Sequence, residues 1–520
     1  MRKLFITILI LISVFVIGTI ALNYYFKNKI ESFLSSGLPE DMTLNYDNID
    51  VHSWEGTVTV DNIQLNLKSP EDSISKAQIK TQELKLKDLD YWDYFTQDKI
   101  HFDLIELGES SVIYHQQKKK DTNQVSQNKN DSKFKKSIQI NRLKLAKTSL
   151  KVLKNGADSL LLNMPQTVIS IENIETNKEK LKQQIPFDYS SIHIESDSIF
   201  YRLNAYDNLY VDKFSLDDST LILNNTQIKT RYSQIELSQQ ISKERDHVDL
   251  NIPKIAFKSF NINAENSTLS AQASQMDITQ PQFKIFRDKL VADDPTFKPL
   301  YSKSLRDLPF KLMIDNAQIK GASIEYEEKV KADNQAGKLS FNNLQATIKN
   351  LGNTYALGIK MTSIQVNALF MEKSPIEVDW SFDVQNKNDQ FRFKADVGEL
   401  PVTALNSFTE PNLNVKLTGA LHKAYFDISG DNTSSHINMK MNYDDFKIAV
   451  LNDKKEKKKW LISTLANLFV SKDSEEKGSD SFRSGEGTAE RDTSKSIFNY
   501  LWLNVKQGLI SILTGDGESS

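Results

Sequence analysis

The sequence contains no cysteine in 520 residues, and this absence excludes disulfide frameworks, thiolate metal sites, cysteine nucleophiles and a lipid-modified N-terminal cysteine. Charge of one sign is missing too: 65 basic residues stand against 68 acidic ones, a net of −3. Nothing in that balance asks for nucleic acid or another polyanion. Histidine is scarce, seven in all, and none sits in an H-E-x-x-H or similar ligand spacing, so each is expected to be an exposed strand residue. There is no G-x-S-x-G elbow and no glycine-rich phosphate loop. Gly485-Glu486-Gly487 lies in a polar, low-complexity stretch with no strand expected before it. The chain is therefore expected not to be an enzyme, with no catalytic residue, cofactor or metal.

Long apolar runs are also rare, with one clear exception. Leu4 to Phe26 carries no charge and little polarity, between Arg2-Lys3 and Lys27 with Lys29. About twenty such residues in a helix cross a hydrocarbon core of about 30 Å. Leu4, Phe5, Ile10, Val14, Ile17, Ile20 and Phe26 are the expected membrane-facing side chains of an anchor over residues 1–27. Thr19-Ile20-Ala21 offers the small residues of a cleavage site, but the run exceeds the usual signal-peptide core of about 7–15 residues, which favours an uncleaved anchor. Its short leading tail places the N-terminus inside and roughly 490 residues on the exported side. A helical stalk over residues 28–42 follows, closed by Gly37-Leu38-Pro39.

From Thr43 the period changes to two. "TVTVDNIQLNL", "SIQINRLKL", "TLILNNTQIK", "IEVDWSFDV" and "HINMKMNY" alternate apolar with polar residues, the mark of strands with one dry and one wet face. Residues 43–452 read this way throughout. Residues 116–136 and 471–496 lack apolar clusters and are expected to be disordered, and the proline-containing break at 287–308 is expected to hold a short helix. A pattern of Ile or Leu, a hydroxyl four residues on, and an apolar residue at plus seven recurs six times: Leu107/Ser111/Tyr114, Leu145/Ser149/Val152, Ile194/Ser198/Tyr201, Leu216/Thr220/Leu223, Ile255/Ser259/Ile262 and Ile319/Ser323/Tyr326. Read as tight hairpins, with a two-residue turn inside each copy, these residues and Ile324 fall on one face. Phe257-Lys258 suits a turn poorly, so that copy can be a bulge. The expected fold is mostly β: an elongated, curled antiparallel sheet, a β-groove, behind an N-terminal transmembrane helix. About thirty strands at about 4.8 Å each would make a trough on the order of 100–150 Å long.

Glu325-Tyr326-Glu327-Glu328 is the one dense acidic group that invites a catalytic reading. Glu325 and Glu327 are two apart on an expected strand and face away from Ile324 and Tyr326, so they are expected to be solvated rather than a glycosidase pair. At the C-terminus, residues 453–470 ("DKKEKKKWLISTLANLFV") and 497–514 are expected to be amphipathic helices, the latter with Ile497, Leu501, Val505, Leu509 and Ile512 or Leu513 in helical repeat. Two readings stand for them: a cap on the groove, or an interfacial tip in which Trp460, Phe498, Leu501 and Trp502 touch a membrane or a partner.

"MTLNYDNIDVHSWEGTVTVDNIQLNL" behind the anchor, "IDNAQIKGASIEYEE" with "GKLSFNNLQATIKNL", and "LPVTALNSFTEPNLNVKLTGALHKAYFDISG" with "MKMNYDDFKIAVL" resemble the AsmA-like proteins of Gram-negative envelopes, within the repeating β-groove group of bridge-like lipid transfer proteins. Residues 308–452 carry the resemblance most specifically, and the Lys-, Asn- and Ile-rich composition looks like the Bacteroidetes branch. The resemblance implies a single-pass inner-membrane protein with its bulk in the periplasm, an apolar groove, membrane lipids as partners through their acyl chains, and phospholipid transport or outer-membrane lipid homeostasis. It supplies no catalytic residues. The alternative is an envelope scaffold that assists outer-membrane protein assembly, with an outer-membrane or envelope protein as partner and no nucleic acid.

Overall fold

The computed structural model describes residues 2–36, 41–68, 75–97, 99–116, 137–154, 159–183, 185–265, 268–451 and 482–514. It opens with a helix, α1 (Arg2–Ser36), so anchor and stalk form one continuous element. The strands that follow are β1 (Met42–Asn45), β2 (Asn48–His52), β3 (Thr57–Lys68), β4 (Ser75–Leu89), β5 (Lys99–Leu107), β6 (Ser110–Gln116), β7 (Ser137–Lys154), β8 (Leu160–Thr176), β9 (Ser191–Ser196), β10 (Ile199–Arg202), β11 (Asp207–Asp217) and β12 (Thr220–Thr230), with the short helix α2 (Tyr91–Thr96) before β5. After helix α3 (Gln234–Gln240) come β13 (Asp246–Lys258), β14 (Asn261–Glu265), β15 (Thr268–Thr279) and β16 (Gln282–Asp288), and after α4 (Tyr301–Arg306) come β17 (Lys311–Lys329), β18 (Gly337–Gly352), β19 (Thr362–Phe370), β20 (Ser374–Phe382), β21 (Phe391–Val397) and β22 (Leu400–Pro401). Helix α5 (Asn406–Leu413), β23 (Val415–Gly430), β24 (Ser434–Val450), β25 (Arg483–Glu490) and helix α6 (Ile497–Thr514) complete the order.

The chain divides into two compact units, one of residues 1–203, 209–223 and 263–267 and the other of 204–208, 224–262 and 268–520. Both are mostly β, as the alternating pattern requires, but neither is purely antiparallel. In the first unit β5 and β6 run parallel to β7, and in the second β15 and β16 run parallel to β17. The expected all-antiparallel sheet is thus a mixed one.

The reason lies in the repeated pattern, most of whose copies are not hairpins. β5 and β6 are not folded back on each other; both pair with β4, Leu107 opposite Leu84 and Ser110 opposite Thr81, so they run end to end with a break at Gly108-Glu109. β9 and β10 lie end to end along β8 in the same way. The copy at Leu145 sits inside β7, where three steps from Leu145 to Thr148 face two on β8, a β-bulge with Lys147 at φ 44°. The copy at Ile319 sits inside β17, with Gly321 at φ 67° and offset bulges against β18. The copy at Ile255 breaks at Ser259, φ 51°, and only the copy at Leu216 keeps a two-residue turn, Asp218-Ser219. A bulge inserts one residue and flips side-chain parity as a tight turn does, so the sequence pattern fits both.

In the first unit these irregularities line up. Asn62 in β3, Gly108, Lys147, Gln166 in β8 and Asp197 fall at one level on neighbouring strands, and Asn62, Lys147 and Gln166 all have positive φ, between 44 and 52°. Each bulge bends its strand and raises its twist. Asn62 keeps the β3–β4 register without a bulge, so what lines up is a crease of irregular backbone that crosses these strands.

Two expected linkers need separate comment. Residues 117–136 and 452–481 lie outside the described residues, and with them the loop over 116–136 almost entirely, the helix over 453–470 and Trp460. Part of the expected disordered stretch 471–496 is instead the strand β25, paired in register with β24 from Ser434–Glu490 to Met441–Arg483. The break at 287–308 holds α4.

Candidate functional site: an apolar sheet face

The strand registers of the first unit place the apolar residues in transverse rows. Val60, Leu84, Leu107, Leu145, Ile169, Ile194 and Leu216 follow one another across β3, β4, β5, β7, β8, β9 and β11. One step towards the start of β3, Val58, Leu86, Ile105, Leu143, Ile171 and Ile192 make a second row. On the other side of the crease run Leu65, Ile79, Val112, Leu150 and Met164, then Leu67, Ala77, Tyr114, Val152, Leu162 and Tyr201. The intervening rows are polar: Thr59, Lys85, Glu106, Lys144, Ser170, His193 and Asp217 share the opposite face. The sheet therefore has one dry and one wet side, as period two demands.

That dry side is left largely uncovered. Leu107, Leu145, Val152, Ile194, Leu216 and Leu223 are only half-buried, and Tyr114 and Tyr201 are exposed at 37 and 38%. Cover comes at the N-terminal edge alone among the described clusters of this unit: Phe26, Ile30 and Leu34 of α1 pack on Ile49, Val51, Val58 and Val60. Of the anchor residues, Ile17 and Ile20 are exposed at 66 and 61%, and the side chains of Leu4, Phe5, Ile10 and Val14 lie outside the described residues. Among the described residues no helix is long and apolar enough to cross a membrane.

The crease carries a feature that the sequence pattern hid. Thr81, Ser110, Thr148, Thr167 and Ser196 are buried at one level, on β4, β6, β7, β8 and β9. The Ser110 hydroxyl donates to the Gly108 carbonyl at 2.8 Å and that of Thr81 to Glu83 at 3.1 Å. Thr167 donates to Ser196 Oγ at 3.2 Å, and Ser196 lies 3.2 Å from the Pro165 carbonyl. Thr81, Ser110, Thr167 and Ser196 thus satisfy carbonyls or hydroxyls beside a break in the ladder, where an orphaned acceptor would be costly, whereas the Thr148 hydroxyl is buried with no hydrogen-bond partner among the described residues. The expected hydroxyls of the repeat, Ser111 and Ser149, point the other way; of their neighbours Ser110 and Thr148, Ser110 does this work.

In the second unit the same arrangement recurs. Ile255, Ile278, Ile319, Ala346, Val366, Val378, Ala395, Phe426 and Met439 form one row, and Leu250, Phe283, Ile324, Phe341 and Phe370 another. Tyr326 stands in a third, beside Ile285 and Leu339. Ile262, on β14, is exposed at 42%. Of the four acidic-cluster residues, Glu325 lies on the wet face and accepts from Lys338 Nζ at 2.5 Å, which raises the lysine's pKa. Glu328 shares Tyr326's parity and accepts from its hydroxyl at 2.7 Å. Burial foremost, then the Glu328 charge, pushes that phenol's pKa up. Next to it Arg287 forks onto Asp246 at 2.7 and 2.8 Å. Glu325, Glu328 and Asp246 are thus each paired, with Lys338, Tyr326 and Arg287.

At the C-terminal end the dry face is covered. α6 lies on β24 and β25 with Ile497, Tyr500, Leu501, Asn504, Ile512 and Leu513 buried against Ile428, Ile437, Met439 and Tyr443. Leu501 is therefore a core residue at 7% exposure and not part of a tip, whereas Phe498 and Trp502 face outward at 62 and 43%. Gly485 and Gly487 of β25 permit the contact: a Cβ on Gly485 would sit 2.7 Å from Ile512 Cγ1 and 2.8 Å from the Gly508 carbonyl.

One group of metal-type ligands exists among the described residues: Asp90, Asp93 and His101, with a ligand atom of each within 4.8 Å of the others. His101 is half-buried, contrary to the expectation of exposed histidines, and has its own partners, Asp93 at 3.4 Å and Asn141 at 3.1 Å. Asp90 caps α2 through the amide of Asp93 at 3.0 Å. The cluster is explained by the fold.

No family model and no curated protein matches the chain. A solved structure of Pseudomonas aeruginosa OccK8 (OprE) aligns at 7% identity over 86% of this chain and 92% of that one, with a TM-score of 0.11. A likeness that slight carries no argument.

Proposed function

We propose that this protein is a membrane-anchored, AsmA-like β-groove of a Gram-negative envelope, and that its uncovered dry face shields lipid acyl chains while phospholipid moves between membranes. The observation that carries this reading is the row from Leu84 to Leu216, six aliphatic side chains on six neighbouring strands left half-exposed on one face. A contiguous apolar surface of that extent calls for an occupant. Each methylene removed from water there is worth about 0.8 kcal/mol. Rows of near-identical side chains make neighbouring positions nearly equivalent, so a chain can slide without a high barrier. No bond is made or broken, and no catalytic group is needed.

The test is native mass spectrometry of residues 28–520 purified without detergent from a Gram-negative host, alongside Leu145→Asp and Ile169→Asp. Co-purifying phospholipid in the parent protein, lost in both variants while circular dichroism stays unchanged, is the expected result. A lipid-free parent protein, equally indifferent to both changes, would sink the reading and favour the scaffold.

A further inference from the structure

The edge of the first unit beside α1 has its own chemistry. The β2–β3 turn grips the middle of the helix: the Ser53 amide donates to Asn23 Oδ1 at 2.6 Å, the Ser53 hydroxyl to the Thr19 carbonyl at 3.4 Å, and Trp54 packs edge-on against Phe15, ring centroids 4.5 Å apart. Trp54 is nevertheless 74% exposed. The neighbouring connection brings a second tryptophan to the same edge. Leu89 donates its amide to the Gly56 carbonyl at 3.2 Å, and α2 starts two residues later with Trp92, 71% exposed.

What covers this edge follows from α1. Phe15, Val16, Ile17, Ile20, Leu22, Tyr24 and Tyr25 are all exposed, and at about 100° per residue they fall on every side of the helix except the one the turn holds. A protein partner covers one stripe; exposure all round fits an isotropic apolar medium. Depth follows from length. About twenty residues span the hydrocarbon core, and counted from Leu4 they end near Asn23. The backbone of the turn is tied at Thr19 and Asn23, the level of the membrane interface, and the Trp54 ring points further along, to Phe15.

We propose that this rim is a membrane-docking edge: Trp54 inserts into the leaflet nearest the strands, Trp92 lies beside it at headgroup level, and the groove thereby begins inside the bilayer rather than above it. The inference rests on the anchored-groove reading and adds to it the site of lipid entry. Tryptophan, apolar with one N–H donor, prefers that interface. An apolar row begins at the rim with Leu89 and continues through Phe102, Ile140 and Ile174. Glu55, Asp90 and Asp93 also lie here, with Lys99 and His101 beside Asp93. Lys27 and Lys29 of α1 together with Lys99 only match these three carboxylates in number, so the rim has no cationic surplus and insertion is apolar and indifferent to anionic lipid.

The lack of any cysteine makes the test direct. Full-length chain carrying Glu55→Cys, Trp92→Cys or, at the far end of the strands, Gln116→Cys is labelled with an environment-sensitive fluorophore and reconstituted in phosphatidylcholine vesicles with lipid spin-labelled at the headgroup or high on the acyl chain. Glu55→Cys leaves the Phe15–Trp54 contact intact. Expected are a blue shift and at least twofold quenching at positions 55 and 92, none at 116, and no change when a third of the lipid is phosphatidylglycerol. Vesicle flotation of the chain with no quenching at 55 and 92 overturns the docking edge and leaves the anchor standing. Failure to float overturns both, and quenching at 116 overturns the edge by showing the sheet lying flat.

Discussion

The two units place the same kind of row on the same kind of sheet and treat it oppositely. In the first, Leu107, Leu145 and Ile194 stand half-exposed, outside every buried cluster of the described residues, while in the second, Ile428 and Ile437 are fully buried under α6. Composition does not explain this, since both rows are aliphatic. The difference is a cover: β25 presents Gly485 and Gly487 where the first unit presents side chains, and the helix settles onto that glycine surface. An apolar sheet face that a fold can cover, and elsewhere does not, is a surface kept open.

Energetics should divide along the same line. Ile428→Ala is expected to cost about 3–4 kcal/mol, because a fully buried side chain leaves a cavity between sheet and helix. Gly485→Val should cost as much or more, because the Cβ would meet the backbone of α6 at the Gly508 carbonyl and the Ile512 amide as well as the Ile512 side chain. Leu145→Ala, its counterpart on the open face, should cost about 1 kcal/mol or less, as water already reaches the site. Urea melts monitored by circular dichroism read all three. Equal losses at Leu145 and Ile428 would mean that the first face is covered after all.

Much of this comparison could be read from the chain, and some could not. Period two placed Leu107, Leu145, Ile194, Leu216, Ile319 and Tyr326 on rows with aliphatic neighbours, since strand parity depends only on local alternation. Bulge and hairpin were indistinguishable because both flip parity after one irregular step, and choosing between them needs the partner strand's register. For the same reason the parallel pairs β5–β7 and β15–β17 were invisible: whether a strand turns back or continues is decided non-locally. β25 was missed because "RSGEGTAE" has the glycine-rich look of a linker, though its glycines are small to admit a helix. Leu501 was assigned to an outer tip since the repeat of α6 shows an apolar stripe without showing what it faces.

A crease test follows from the hydroxyl row. Thr167→Val keeps the shape but removes the donor to Ser196, and leaves Ser196 with one partner fewer in a buried site. The expected cost is about 1–2 kcal/mol, and a gain in stability would show that the crease does not need its hydroxyls.

The smallest effect concerns the cover itself. Lys506 of α6 is buried at 6% exposure, and burial holds its pKa below the ordinary lysine value. A base whose folded pKa is lowered is bound by a proton more readily in the unfolded chain, so stability rises with pH through the window between the depressed folded value and about 10.4. Below that window the folded state carries the full cost of the buried ammonium. Lys506→Met should therefore stabilise the second unit by on the order of 1 kcal/mol at neutral pH and flatten that alkaline rise, both read from the urea midpoint as a function of pH. A loss of stability in the variant would instead mean that the ammonium's contacts outweigh its desolvation, and that the charge helps to hold α6 on the sheet.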